Sequence, residues 1–436
     1  MKRVFRRFPK VLLVIICILI VSIVVAAKIS SFNKEPRNSQ TGSYRQITVD
    51  QNGNVVDGNN NHKDKTSPSP RKNKGNSDIE KDNVTPSEEP ITSSQSTSEE
   101  GQKVTLMAVG DDLVHTSVIE SGKRSDGTYN YDHLFTNILK DINDSDLAVI
   151  NQETVLGGSE LGYSGYPKFN SPKEIGDAIV RAGFNVVLHA TNHAMDKSEA
   201  GMQNSINYWK KQKDVTVLGV NETEEEYNSV KVIEVKGIKI AMLNYTYSLN
   251  GQPLPKNREY MVNLLDKEKI RKDVALAKEQ ADFVIVFPHW GTEYVYEPSN
   301  SQKMWTKLFL ETGVDLVIGA HPHVIEPVEW FTREDGHKML VYYSLGNYVS
   351  GQNEYPRMLG GMAKITIERK DGGKPEITDA SVTGLVTHYE KKFANLQVCK
   401  LADYTDQLSS KHMIQGMSVS KLKGLADKVW GDWYKE

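Results

Sequence analysis

From about residue 103 onward, short runs of Val, Ile and Leu recur along the chain, and five of them stop at a compact polar cluster. The clusters are Gly110-Asp111-Asp112, Asn151-Gln152-Glu153, Thr191-Asn192-His193, Pro288-His289-Trp290-Gly291 and Ala320-His321-Pro322-His323. A brief apolar run closed by turn residues is the mark of a buried strand. Carboxylates, imidazoles and an Asn amide spread between residues 111 and 323 can meet only if successive strand ends reach one edge of a sheet, which is where α/β proteins place their sites. The pattern restricts the chain to an α/β fold built as a metal-dependent hydrolase or a descendant of one.

Strands are predicted over 104–109, 147–150, 186–188, 215–220, 283–287, 314–318 and 339–343. Helical spacing falls over 172–182, 199–211, 267–279 and 301–311, with Ser171, Asp266 and Ser299 placed to cap three of these stretches. Across 230–245, Lys236-Gly237 joins two strand-like runs as a hairpin. Mixed βα units plus a hairpin predict two packed sheets flanked by helices.

The first residues bear on location. Lys2, Arg3, Arg6, Arg7 and Lys10 form a basic flank (1–10) before an uncharged stretch, 11–27, which sits at the lower limit for crossing a bilayer. Positive charge on the N-terminal side predicts a single-pass anchor in the cytoplasmic membrane with the remainder outside. Val25-Ala26-Ala27 also suits a signal peptidase, so secretion after cleavage is the alternative. Residues 28–102, rich in Ser, Thr, Asn, Gly, Pro, Lys and Glu, bury too little to offset their ordering entropy and read as a disordered linker. A folded domain is expected over 103–390, followed by a C-terminal extension, 391–436. The cysteines Cys17 and Cys399 cannot pair in this topology, and a net charge of -3 without an extended basic face argues against a nucleic-acid partner.

Taken singly, the clusters allow two readings each. Asp111 serves as a metal carboxylate or as the Asp of a turn, and His115 joins it or opens the next helix. Glu153 is a ligand or a solvated loop acid, and Asn192 a ligand or an Asx turn. His289 is a ligand or a satisfied core histidine, and His189 reads as core packing. His321-Pro322-His323 is the strongest signal, because a rigid Pro between two imidazoles makes a stiff turn able to aim both at one centre. All five clusters in strand-end contexts favour the metal reading jointly.

The ordered set Gly110-Asp111, Asn151-Gln152-Glu153, Asn192-His193-Ala194-Met195-Asp196, His289-Trp290-Gly291-Thr292-Glu293-Tyr294, His321-Pro322-His323-Val324 and Tyr343-Ser344-Leu345-Gly346-Asn347-Tyr348 resembles the CapA family of poly-gamma-glutamate capsule-biosynthesis proteins. That family is similar in turn to the calcineurin-like metallophosphoesterases. The resemblance implies a four-layer αββα sandwich with a two-metal centre between the sheet edges. Carried over by residue, it implies that Asp111 binds the first metal, that Glu153 bridges, and that Asn192, His289 and His321 bind the second metal while His323 returns to the first. His193 matches the histidine that assists the leaving group. Phosphoesterases usually begin with Asp-x-His, whereas Asp111 is followed by Asp112 and Leu113, so the first site is under-coordinated unless His115 or Asp112 substitutes, and a weaker or single-metal site is the alternative.

Imidazole and carboxylate ligands together suit Mn, Fe or Zn better than Ca, and a two-metal centre of this kind is hydrolytic. The loop 157–170, with Tyr163, Tyr166 and Phe169, is expected to contribute specificity. Two functions follow as expectations. One is an extracytoplasmic metal-dependent hydrolase acting on a phosphoester or an envelope polymer. The other is a non-catalytic accessory subunit of a poly-gamma-glutamate synthesis and export machine, binding the acidic polymer beside other synthase subunits.

Overall fold

The computed structural model describes residues 47–49, 55–56 and 102–436. Among these, sixteen strands form two eight-stranded sheets. In the first sheet, strands β3 (Gln102–Leu113), β4 (Leu147–Gln152), β5 (Val186–Leu188) and β6 (Thr216–Leu218) run parallel. On the far side of β3 follow β14 (Leu359–Arg369), β15 (Glu376–His388) and β16 (Gln397–Lys400) in antiparallel order, while β13 (Asn347–Ser350) pairs with the end of β3.

The second sheet has a parallel centre of β8 (Ile238–Thr246), β9 (Phe283–His289), β10 (Leu316–Ile318) and β12 (Lys338–Tyr342). One edge is β7 (Lys231–Val235), hairpinned to β8 through Lys236 and Gly237, which both take positive φ (49° and 78°) as a two-residue hairpin turn requires. At the other edge β11 (Val328–Arg333) is joined by β1 (Ile47–Val49) and β2 (Val55–Val56). The stretch read as a linker thus contributes two short strand segments and, at Gln102, the first residue of β3; its other residues lie outside the described ones, as does the apolar run 11–27. Among the described residues no helix is long and apolar enough to cross a membrane.

Strict alternation within the central strands explains the layering, because successive side chains point to opposite faces. Ile240, Met242, Phe283, Ile285, Leu316 and Leu340 enter a core shared with Leu106, Ala108, Val149 and Val187 of the first sheet. Their neighbours Ala241, Leu243, Val284, Val286, Val317 and Val341 instead meet Ile270, Val274 and Ala277 of helix Lys267–Gln280 and Leu308 and Phe309 of helix Asn300–Thr312. Helix Glu174–Ala182 inserts Ile175, Ala178, Ile179 and Ala182 into the first core.

Two of the three proposed caps form. Asp266 accepts the Lys269 N–H at 2.9 Å, and Ser299 with Gln302 makes a reciprocal capping box. Ser171 does not cap: its hydroxyl lies 2.6 Å from that of Thr154, and the helix begins later, at Glu174. Strands β14 to β16 escape a reading by apolar runs, since Gly360-Gly361 and several charged residues interrupt β14 and β15 is half exposed. Residues 391–436 belong to the same body: β16 extends the first sheet, and helix Val419–Trp430 buries Leu422, Ala426 and Trp430, spaced four apart along one face.

Candidate metal centre

The five polar clusters lie at or just beyond the C-terminal ends of β3, β4 and β5 in one sheet and of β9 and β10 in the other. Close backbone approach brings these ends together. A Cβ on Gly110 would lie 1.8 Å from the Gly346 carbonyl oxygen, which instead accepts the Asp111 N–H at 2.9 Å. The segment after β9 runs beside the His321-Pro322-His323 turn, with Trp290 N–H donating to Ala320 O (3.0 Å) and Tyr294 N–H to Pro322 O (2.8 Å). His321 and His323 adopt φ of 100° and 56°, left-handed values that cost energy for residues with a Cβ and that occur chiefly where function holds a side chain in place.

Asp111, Glu153, Asn192, His289, His321 and His323 come together as one buried group. Glu153, His289 and His321 offer ligand atoms within 4.8 Å of one another, and so do Asp111, Glu153 and His323. Glu153 is common to both sets, with Oε1 3.7 Å from His289 Nε2 and 3.7 Å from His323 Nε2. Asn192 Oδ1 lies 3.0 Å from His289 Nε2. Asp111 is the most heavily engaged member, receiving the Asn151 amide (2.8 Å), the His321 N–H and His323 Nδ1 (3.0 Å).

The donor chemistry fits a divalent cation. Both Glu153 carboxylate oxygens and His321 Nδ1 are buried without a hydrogen-bond partner, a costly arrangement unless something else satisfies them. Burial pushes the Glu153 carboxyl well above its ordinary range. Burial, reinforced by neighbouring imidazoles, holds His289 and His321 far below theirs, which leaves them neutral with a lone pair to offer. His323 goes the other way: burial alone would lower it, but Glu153 and Asp111 outweigh that and raise it to about 9.

Comparison with known proteins places this arrangement in a family. Residues 105–352 match the model of the bacterial capsule synthesis protein PGA_cap, more than half of the chain and every one of the clusters. The chain belongs to the PGA_cap family. It is 27% identical over 261 residues to the capsule biosynthesis protein CapA of Bacillus anthracis, covering 58% of this chain and 61% of that one. With the PGA biosynthesis protein CapA of Bacillus subtilis it shares 29% identity over 212 residues, covering 48% and 54% respectively. The chain thus spans less than two thirds of either relative's length. Among solved structures, it is similar to the NAD nucleotidase of Haemophilus influenzae at 13% identity and a TM-score of 0.43, covering 75% of this chain and 67% of that one. A 5'-nucleotidase precursor from Thermus thermophilus shows 15% identity and a TM-score of 0.39 over 65% of this chain and 54% of that one.

In this PGA_cap protein neither substitute foreseen for the absent Asp-x-His imidazole joins the ligand sets. Asp112, one residue along the strand, is fully buried away from the group, and burial lifts its carboxyl to about 7. His115 Nδ1 accepts the Gly351 N–H at 3.2 Å while its ring sits edge-on to Phe169. His189 is the satisfied core histidine expected, 2.9 Å from Gln152 O and 2.7 Å from Ser205 Oγ. His193 lies at the margin of the group, its Nδ1 2.7 Å from Asp196 Oδ2, which also accepts the Phe169 N–H. Phe169 packs edge-on against His193 at 4.6 Å, so the loop 157–170 does reach the centre.

Three residues near the centre were given no role from sequence. Asn347 Oδ1 lies 3.1 Å from His323 Nδ1, the Tyr247 ring lies 4.7 Å from that of His321 at a tilt of 45°, and Glu293 offers a carboxylate oxygen within 4.8 Å of ligand nitrogens of His321 and His323. Asn347 and Glu293 fall inside the matched motifs, but only the folded chain turns their side chains toward the histidines.

Proposed function

We propose that this chain is a membrane-anchored, extracytoplasmic member of its family, serving the synthesis or export of poly-gamma-glutamate or a related envelope polymer through a metal-dependent hydrolytic centre. The αββα arrangement of the metallophosphoesterases is the fold reading that goes with it. The observation that carries the proposal is Glu153: one carboxylate, buried and without hydrogen-bond donors, common to two sets of three ligands. Glu153, His289, His321 and Asn192 would hold one divalent cation, and Asp111, Glu153 and His323 a second, with Mn, Fe or Zn favoured by the mixed imidazole and carboxylate donors. When bound, such cations supply an activated water and neutralise charge on the oxygens of a displacement.

The protein's own groups do the rest. Asp196 engages Nδ1 of His193, which leaves Nε2 as the nitrogen free to pass a proton to a departing oxygen. Phe169 shields that imidazole from water on one face, and Tyr247 walls the group beside His321. The substrate class supported is a phosphoester or an acidic polymer bond.

Full-length protein loaded with Mn or Zn is therefore expected to hydrolyse a member of a phosphoester and polyglutamate panel, and to lose that activity on chelation. Cation binding and polyglutamate binding without any hydrolysis would establish the accessory role in its place. Asp196→Asn should lower turnover by about 100-fold and displace the pH profile while leaving metal content unchanged, since it acts through a proton-transfer group rather than a ligand. Equal turnover and an unmoved profile would remove His193 from the chemistry. For topology, protease added to intact, wall-stripped cells should digest the domain after residue 102 while cytoplasmic markers survive. A domain protected to the same degree as those markers would refute the extracytoplasmic placement.

A further inference from the structure

We infer that Glu293 is a further cation ligand of this chain, supplying the donor that Leu113 cannot. The inference rests on the metal reading above and concerns how that centre is completed. The metallophosphoesterases that the family resembles place an imidazole two residues beyond the strand-end Asp, but Leu113 stands there and is 2% exposed among core side chains. Asp112 and His115, the neighbours in sequence, are directed elsewhere. The centre is therefore short of one donor from β3.

Glu293 arrives from the other sheet. Its carboxylate, His321 and His323 present ligand atoms within 4.8 Å of one another. This is more than proximity of a surface acid, because His321 Nδ1 is buried and has no hydrogen-bond partner. The backbone around Glu293 is also fixed. Gly291 takes φ 99°, where a Cβ would lie 2.9 Å from the Gln302 side chain, and Tyr294 takes φ 67° with its N–H bonded to Pro322 O between the two histidines. A non-glycine residue in the left-handed region immediately after Glu293 costs energy that a solvated loop acid would not require.

The neighbouring Tyr294 side chain is held as well. Its phenol, raised above the usual tyrosine range by burial and next by the charge of the nearby Glu293 carboxylate, receives Gln352 Nε2 at 3.4 Å, while the Arg357 guanidinium lies 3.6 Å from the centre of its ring. Ligating carboxylates are commonly held by such outer partners. Charge favours the same assignment, since Asp111 and Glu153 alone are two carboxylates against two divalent cations, and a third carboxylate reduces the repulsion between those cations. Glu293 is the exposed member of the set, so the cation it holds stays open to solvent and substrate.

The test is cation binding rather than activity. Full-length protein is stripped with chelator, titrated calorimetrically with Mn and separately with Zn, and its metal content counted after dialysis. In Glu293→Gln the weaker-bound cation should lose on the order of 10- to 100-fold in affinity, with the fold unchanged because the side chain is exposed. Tyr294→Phe, which keeps the carboxylate but removes the phenol, should weaken the same cation to a smaller extent. Glu297→Gln, another acid on this loop, should match the wild type. Wild-type stoichiometry and affinity in Glu293→Gln would overturn the assignment while leaving the centre intact. Absence of cation binding in the wild type would instead defeat the underlying metal reading.

Discussion

Glu153→Gln is expected to abolish tight cation binding and, at the same time, to raise the thermal stability of chelator-stripped protein. Both effects come from the same geometry. As the carboxylate shared by two ligand sets, Glu153 cannot be replaced by a neutral amide without weakening both cations. Without a cation, however, its buried oxygens have no donors, and an uncompensated buried carboxylate costs about 1–3 kcal/mol or more. The sign with pH follows from linkage. Folding raises the proton affinity of this carboxyl, so its contribution to stability is full below the unfolded value near 4.5 and is lost as pH climbs through the raised value. Stripped wild type should therefore weaken relative to Glu153→Gln as pH rises above 4.5, while cation affinity strengthens with rising pH as Glu153 and His323 release protons, His323 at about 9. Melting curves with and without chelator, beside metal counts, measure all three. Retention of both cations by Glu153→Gln would show that the carboxylate is not shared.

Trp430→Ala should destabilise the whole domain by about 3–5 kcal/mol, the usual cost of removing a buried Trp side chain. Trp430 is 2% exposed, packs against Gly361 of β14, and donates its indole N–H to the Glu326 carbonyl at 3.2 Å. Glu326 lies three residues beyond His323, and burial raises its carboxyl to about 8 even with Gln302 hydrogen-bonded to it. The C-terminal helix thus braces the segment that carries the paired histidines. Trp430→Phe, which restores most of the volume without the hydrogen bond, should recover more than half of the loss. Chemical denaturation that shows Trp430→Ala within about 0.5 kcal/mol of wild type would mean that the last helix is not part of the cooperative unit.

The central parallel strands were legible because burial on both faces writes itself as unbroken Val and Ile runs, as in 283–287 and 186–188. Strands β14 and β15 were not, since Gly360-Gly361 and alternating charges hide a strand whose burial comes from its neighbours. Asp266 and Ser299 were readable as caps from local sequence, whereas the Ser171 hydroxyl is taken by Thr154, a partner that only the fold brings near.

For the centre, residue type and position at strand ends determined which side chains could be ligands, since parallel strands deliver their C-terminal ends to one side of each sheet. That is local information. Which of these side chains come within reach of one another depended on two sheets packing face to face over a shared core. Asp112 and Asp111 differ by one residue and so point to opposite faces, and Glu293 reaches His321 and His323 only because Tyr294 is hydrogen-bonded to Pro322 across the gap between strands. Neighbours along the chain set the chemistry available; contacts between residues far apart in sequence decided how it is assembled.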